Sequence, residues 1–125
     1  MYNSKVTQIL TTFNEGELIV KKILSECSKS IKEWQTTVLE WAVSKGFVWT
    51  KEDVNTMLIR LHSEVSEASE AIRDNDVEGF TEELADIFIR LVNLCEVWEI
   101  NLEEAVIKKH NKNLDRPYLH GRKKM

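Results

Sequence analysis

The sequence predicts an all-α fold, a bundle of four to five helices around a central antiparallel hairpin. Among its 125 residues there is one proline, Pro117, and four glycines that are scattered along the chain. Apolar residues recur at helical spacing nearly throughout, and the alternation typical of strands is almost absent. The length suits one domain that buries a core without disulfides or a structural metal.

The first half of the chain contains two helix-start signals. Asn14-x-x-Glu17 and Ser30-x-x-Glu33 both resemble capping boxes. An apolar stripe continues across the second of them, so the pattern allows either one bent helix or two. Gly46 predicts the end of this helical region.

The second half shows clearer boundaries. An apolar connector, residues 47–49, precedes Thr50, where Asp53 three residues on predicts a helix that runs to about Arg73. The Asp-Asn-Asp triplet at residues 74–76 then predicts a turn between two helices.

Two further helices follow the turn. The first begins at Asp76 or at Thr81 and runs to about Trp98. The second is capped by Asn101 and must end before Pro117.

Charge and composition exclude several classes of function. The net charge of −4 argues against nucleic-acid binding, which needs a dense basic face. The chain shows neither a membrane-spanning apolar run nor a signal peptide. Cys27 and Cys95 lie on apolar helical faces as core residues, and a reducing cytoplasm fits this usage. We expect a cytoplasmic protein without membrane or nucleic-acid partners.

Two acidic pairs flank the central turn at matched positions. Glu64-x-x-Glu67 precedes Asn75, and Glu83-x-x-Asp86 follows it at equal distances. In each helix the first carboxylate lies about 80° and the second about 140° from the centre of the apolar seam, with the same rotational sense. The predicted seams are Leu58, Leu61, Val65, Ala68 and Ile72 in one helix and Leu84, Ile87, Phe88, Leu91, Cys95 and Trp98 in the other.

Equal offsets and equal heights bring the four carboxylates into one lateral patch if the helices run antiparallel, as their short connection requires. Carboxylates crowded in this way repel one another unless a cation neutralises them. Oxygen-only ligands favour Mg²⁺, or alternatively Mn²⁺, over zinc. The alternative is a set of solvated residues, since 21 acidic residues produce such pairs by chance.

A polar stripe follows on the last helix. Lys109, Asn113 and Arg116 stand at i, i+4 and i+7 and suit phosphate oxygens. Alone they would read as a solvated face before a basic tail, but together with the acidic patch they suggest a metal-bound polyphosphate.

These motifs resemble those of the MazG-like, all-α nucleoside triphosphate pyrophosphohydrolases, relatives of the dimeric dUTPases. The family pattern Glu-x-x-Glu, spacer, Glu-x-x-Asp is present as EVSE and ELAD, and KHNKNLDR matches the downstream Lys-x-x-x-Asn-x-x-Arg ending. The resemblance covers about residues 31–121. Residues 1–29 are expected to form a helical extension that the resemblance does not reach, and residues 30–125 the family domain.

The resemblance implies hydrolysis of a (deoxy)nucleoside triphosphate to the monophosphate and pyrophosphate. Glu64, Glu67, Glu83 and Asp86 would hold Mg²⁺, with Glu67 also as the general base. The three residues of the polar stripe would bind the outer phosphates. The resemblance further implies a homodimer or homotetramer in which neighbouring protomers complete the site.

Recognition of the base is less determined. Trp49 stands where some relatives present an aromatic ring to the base, although a core role is the alternative. Trp34, Trp41 and Trp98 follow apolar stripes and are predicted to be core residues. Two other functions stay open: a hydrolase specific for dUTP or another phosphorylated nucleotide, and a non-catalytic module for oligomerisation or partner binding.

Overall fold

The computed structural model of the chain describes residues 4–6, 8 and 28–118, and the regular structure within those ranges is helical. The all-α prediction is therefore confirmed. In chain order the elements are α1 (Ile31–Ser44), a short 3₁₀ turn (Lys51–Asp53), α2 (Val54–Arg73), α3 (Val77–Val97) and α4 (Leu102–Leu114). None of the helices in the described ranges has the length and apolarity to cross a membrane.

The helix boundaries follow the capping signals. The Ser30 hydroxyl accepts a hydrogen bond from the Glu33 backbone N–H, and the Glu33 carboxylate accepts one from the Ser30 N–H, so a helix begins at this point. Gly46, with φ +86°, follows the end of α1. The capping signal at Asn14 and the predicted core residue Cys27 lie outside the described residues.

The central hairpin forms as the sequence predicts. Helices α2 and α3 pack against each other along their lengths. The turn between them contains Asn75 at φ 58°, a left-handed conformation that asparagine tolerates better than most residues. Asp76 then caps α3 by accepting a hydrogen bond from the Gly79 N–H at 2.9 Å.

The hydrophobic core lies where α1 meets the hairpin. Leu39 and Val43 from α1 pack with Met57 from α2 and Val97 from α3, and Val6 joins them with 1% of its surface exposed. A residue of the N-terminal segment is thus part of the core.

A buried amide ties α1 to the segment between α3 and α4. The Gln35 side chain donates to the Glu96 carboxylate at 3.1 Å and to the Ile100 carbonyl at 2.7 Å, and it accepts from the Leu102 N–H at 3.0 Å. The Lys5 ammonium pairs with Glu96 on the same network. These bonds hold α1 against the end of α3 and the start of α4.

The predicted seams of the hairpin are wrong in part. Leu58, Val65, Ile72 and Leu84 are between 45% and 48% exposed. On α2 the buried residues are Met57, Glu64 and Ala68, of which Ala68 belongs to the predicted seam. The reason is that the hairpin also packs against α1, and Met57 joins Leu39 and Val43 of that helix in the core.

The tryptophan predictions are also wrong in part. Trp41 is 50% exposed and Trp98 is 37% exposed, although both follow apolar stripes. Trp34 is half-buried. Cys95 is buried, as predicted.

Candidate metal centre and adjoining cavity

The hairpin gathers acidic side chains from both of its helices. Glu64 comes from α2, and Glu83 and Asp86 come from α3. One carboxylate oxygen of each lies within 4.8 Å of the others, a spacing that one cation can bridge. Glu64 is buried, Glu83 is half-buried and Asp86 is exposed, so the cluster opens to solvent on one side.

Glu67 lies beside this cluster but outside the three-oxygen set. Its side chain is exposed. A hydrogen bond with Glu64 raises the pKa of Glu67, and the negative charge of Glu64 adds to the effect. The fourth predicted carboxylate is thus electrostatically linked to the cluster.

Arg90 neutralises the most buried of these carboxylates. Its Nε donates to the Glu64 carboxylate at 2.5 Å. Burial acts to raise the pKa of Glu64, but its hydrogen bonds with Arg90, Glu67 and Glu83, together with the charge of Arg90, outweigh burial and hold that pKa below its usual value. Glu64 therefore stays ionised in this environment.

Glu83 is in the opposite situation. Burial, a hydrogen bond with Glu64 and the charges of its acidic neighbours raise the pKa of Glu83 to about 7. Its Oε2 atom is buried and has no hydrogen-bond partner among the described residues. A buried acceptor without a partner is costly, and a bound cation is one group that would satisfy it.

The cluster fits a hard divalent cation. Its donors are carboxylate oxygens, the ligand type that Mg²⁺ and Mn²⁺ prefer. The unpartnered Glu83 oxygen and its raised pKa both indicate negative charge that the protein's own groups do not fully neutralise. Arg90 supplies one positive charge, which is fewer than the acidic side chains present.

A cavity of about 180 Å³, the aromatic cavity, adjoins the acidic cluster between α1, the 47–49 connector and the hairpin. Arg90 lines it and also contacts Glu64, so this side chain connects the two sites. The Phe47 and Trp49 rings stack with centroids 6.4 Å apart, and the Arg60 guanidinium lies over both, at 5.7 and 5.6 Å from their centroids.

Trp49 therefore contacts two different parts of the structure. It packs against the hydrophobic core, and it lines the aromatic cavity. The core role and the proposed base contact are compatible for this residue.

Three residues of this region were not found from the sequence: Arg60, Arg90 and Asn93. The buried side-chain polar atoms without a partner in the described ranges are Arg60 Nε, Asn93 Oδ1 and Glu83 Oε2. A signal was present, because Glu83, Asp86, Arg90 and Asn93 stand at i, i+3, i+7 and i+10 on one stripe of α3. The acidic motif contains only the two carboxylates of this stripe.

The prediction that Lys109, Asn113 and Arg116 share one stripe of the last helix is wrong for Arg116, because α4 ends at Leu114. None of the three belongs to the acidic cluster. Lys109, Asn113 and Arg116 are exposed, as is the rest of the chain from Glu104 to Tyr118. In the described part of the chain α4 packs chiefly on α1, and no hydrogen bond or ion pair links Lys109 or Asn113 to the acidic residues.

Comparison with known proteins identifies the family. The MazG nucleotide pyrophosphohydrolase domain matches residues 52–120, which is more than half of the chain. This range contains both acidic pairs and the polar stripe, whereas Trp49 lies just before it. No curated protein and no solved structure matches the chain. The family prediction is confirmed, and the chain belongs to the MazG nucleotide pyrophosphohydrolase family.

Proposed function

We propose that this protein hydrolyses (deoxy)nucleoside triphosphates to nucleoside monophosphate and pyrophosphate, and that it requires a divalent metal ion. The observation that carries the proposal is the cluster of Glu64, Glu83 and Asp86, with carboxylate oxygens within 4.8 Å of one another, in a family of nucleotide pyrophosphohydrolases. The positive charge of a metal ion complements the acidic cluster, and the negative charge of a polyphosphate complements Lys109 and Arg116 of the polar stripe.

In this proposal Glu64, Glu83 and Asp86 would hold Mg²⁺, or Mn²⁺, and Glu67 would complete the ligand set. The bound ion would polarise the α-phosphate and lower the pKa of the attacking water. Glu67 accepts the proton of that water, a role that suits an exposed carboxylate whose pKa is raised by its neighbour. The water oxygen bonds to the α-phosphorus, the α–β anhydride bond breaks, and pyrophosphate leaves.

The remaining predicted residues bind the substrate. Trp49 stacks on the base. Lys109 and Arg116 neutralise the departing pyrophosphate, and Asn113 orients it. Lys109 and Asn113 are exposed on α4, and Arg116 is exposed just after its end, so we assign all three to the site of a neighbouring protomer.

The proposal therefore includes a homo-oligomer, a dimer or a tetramer. Large apolar side chains are exposed on the hairpin and on α4, among them Ile59 at 67%, Ile107 at 57% and Leu114 at 68%. Exposed large apolar side chains of this kind are typical of surfaces that another chain covers.

Product analysis over a panel of nucleotides tests this function. The purified protein is incubated with the common dNTPs, NTPs and dUTP, in Mg²⁺ and in EDTA, and products are separated by chromatography. We expect monophosphate and pyrophosphate to form in the presence of Mg²⁺ and not in EDTA. Diphosphate and orthophosphate would contradict attack at the α-phosphate, and an absence of turnover would favour a non-catalytic module.

A further inference from the structure

The aromatic cavity contains a buried amide that the proposed chemistry does not use. Asn93 on α3 is 9% exposed and lines the cavity. Its Oδ1 atom is buried and has no hydrogen-bond partner in the described ranges of the chain. Buried polar groups are nearly always paired in folded proteins, so an unpaired amide oxygen at a cavity wall indicates a group that enters the cavity.

The walls of the cavity suggest the shape of that group. Trp41, Phe47 and Trp49 provide aromatic surface, and Arg60 contributes a flat cation over the last two rings. The Arg60 Nε atom is also buried without a partner in the part of the chain described. Flat apolar walls with polar atoms at one edge suit a planar heteroaromatic ring with hydrogen-bonding groups on its rim.

The position of the cavity relates it to the acidic cluster. On α3 the order is Glu83, Asp86, Arg90 and Asn93, so Asn93 lies about 10 Å beyond Asp86 along the helix. On α2 Arg60 lies one turn before Glu64. Because the helices are antiparallel, both displacements lead away from the Asn75 turn, and the cavity therefore begins where the acidic cluster ends.

We infer that Asn93 is a specificity-determining residue that reads the hydrogen-bonding edge of the nucleobase. The inference rests on the proposed function, in which the phosphates lie at the acidic cluster. The base then extends along α3 into the aromatic cavity, where the Asn93 amide offers one donor group and one acceptor to its edge. A site that hydrogen-bonds its substrate in a buried pocket discriminates strongly against bases that leave the amide unpaired.

Two substitutions of Asn93 separate this role from simple packing. Asn93→Leu keeps a similar volume and removes both hydrogen-bonding groups. Asn93→Asp changes the amide into a carboxylate, which accepts hydrogen bonds only when ionised, the form favoured by the positive charges of Arg60 and Arg90 in the same cavity. Guanine is the base that presents two neighbouring donors, its N1–H and its N2 amino group, to such a carboxylate.

The experiment measures kcat/KM for each base in the three proteins, with Asn55→Asp as the matched control. Asn55 is an exposed amide at the start of α2. We expect Asn93→Leu to reduce the ratio of kcat/KM between the best and the worst base by about tenfold or more. Asn93→Asp should move the ranking toward guanine nucleotides. An unchanged ranking in both Asn93 variants would overturn the inference, while the hydrolysis itself would stand.

A binding measurement on the unaltered protein tests the inference apart from catalysis and from folding of the variants. Nucleoside monophosphates are added in EDTA to ¹⁵N-labelled protein, and the Asn93 side-chain NH₂ signals are followed by NMR. Selective shifts of these signals that depend on the base support the role of Asn93 even if no triphosphate is hydrolysed. Signals that do not move with any monophosphate, in a protein that hydrolyses triphosphates, contradict it.

Discussion

Glu83 is the carboxylate whose ionisation depends most on what surrounds it. Burial, its hydrogen bond with Glu64 and the acidic charges nearby raise its pKa to about 7. Because this value lies above the unfolded one, the proton on Glu83 stabilises the folded protein at low pH. That contribution is lost as the pH rises through about 7, where the ionised group needs a cation.

Metal binding is therefore predicted to depend on pH. At pH 6 most Glu83 is protonated and must release its proton to become a ligand, so the affinity for Mn²⁺ should be about tenfold lower at pH 6 than at pH 8. Titration calorimetry checks this. Glu83→Gln should remove the dependence together with most of the affinity, whereas Glu78→Gln, an exposed residue of the same helix, should preserve both. Equal affinity at the two pH values in the unaltered protein would contradict the assignment.

The Arg90 guanidinium provides a positive charge beside Glu64, where a metal ion would otherwise provide it. It holds Glu64 ionised in the absence of metal. Arg90→Met should destabilise the metal-free protein by about 1 kcal/mol, the lower end for an unpaired buried acceptor, because the arginine side chain is 35% exposed.

Thermal unfolding in EDTA and in Mn²⁺ measures the effect of Arg90. We expect the difference in Tm between the variant and the unaltered protein to shrink when Mn²⁺ is present, because the ion replaces the lost positive charge. A difference that is equal in the two buffers would mean that Arg90 stabilises the fold through packing rather than through Glu64.

At the scale of elements, the hairpin determines which carboxylates meet. Its register depends on a three-residue turn in which Asn75 takes φ 58°. A β-branched residue is strained in that conformation and glycine is not. Asn75→Val should lower the free energy of unfolding by about 1–2 kcal/mol, and Asn75→Gly should be nearly neutral.

Urea denaturation compares these variants, with Asn55→Val as a helical surface control expected to change stability by about 0.5 kcal/mol or less. If Asn75→Val proved as stable as the unaltered protein, the turn would not be what fixes the hairpin register.

The same elements show what the sequence could and could not predict. Helix boundaries followed from local capping groups such as Ser30, Asp76 and Asn101, since these bonds depend on neighbours in the chain. The buried face of α2 could not be predicted, because it depends on where α1 packs. Leu58 and Val65 are accordingly exposed while Glu64 is buried.

The site shows the same limit. Paired carboxylates identified the acidic cluster, because their spacing is fixed within each helix. Arg90 and Asn93 continue the stripe of Glu83 and Asp86, but the sequence indicates no partner for either side chain. Their significance comes from contacts across the hairpin and with the cavity, which spacing along one helix does not contain.

At the level of the whole molecule, the proposed function requires that the acidic cluster and the polar stripe contribute to one site. Within the described residues, no hydrogen bond or ion pair joins Lys109 or Asn113 to the acidic residues, and α4 is exposed from Glu104 onward. If a neighbouring protomer supplies these residues, two inactive variants should complement each other.

We predict that Glu67→Gln and Lys109→Ala are each inactive, and that mixing them after unfolding and refolding together restores activity. In a randomly paired dimer about a quarter of the sites are then intact. The mass in solution, from light scattering, should exceed the 14.6 kDa of one chain. A monomer, or a mixture without recovered activity, would mean that each chain builds its own site.

Hydrolysis in H₂¹⁸O distinguishes attack of water on the α-phosphate, which we propose at the acidic cluster, from attack on the β-phosphate. In Mg²⁺, a single turnover should place one ¹⁸O atom in the nucleoside monophosphate and none in the pyrophosphate, as seen by mass spectrometry. Glu67→Gln with an intact fold should abolish the labelled product. Label in the pyrophosphate would show attack at the β-phosphorus and contradict the account, as would normal turnover by the Glu67 variant.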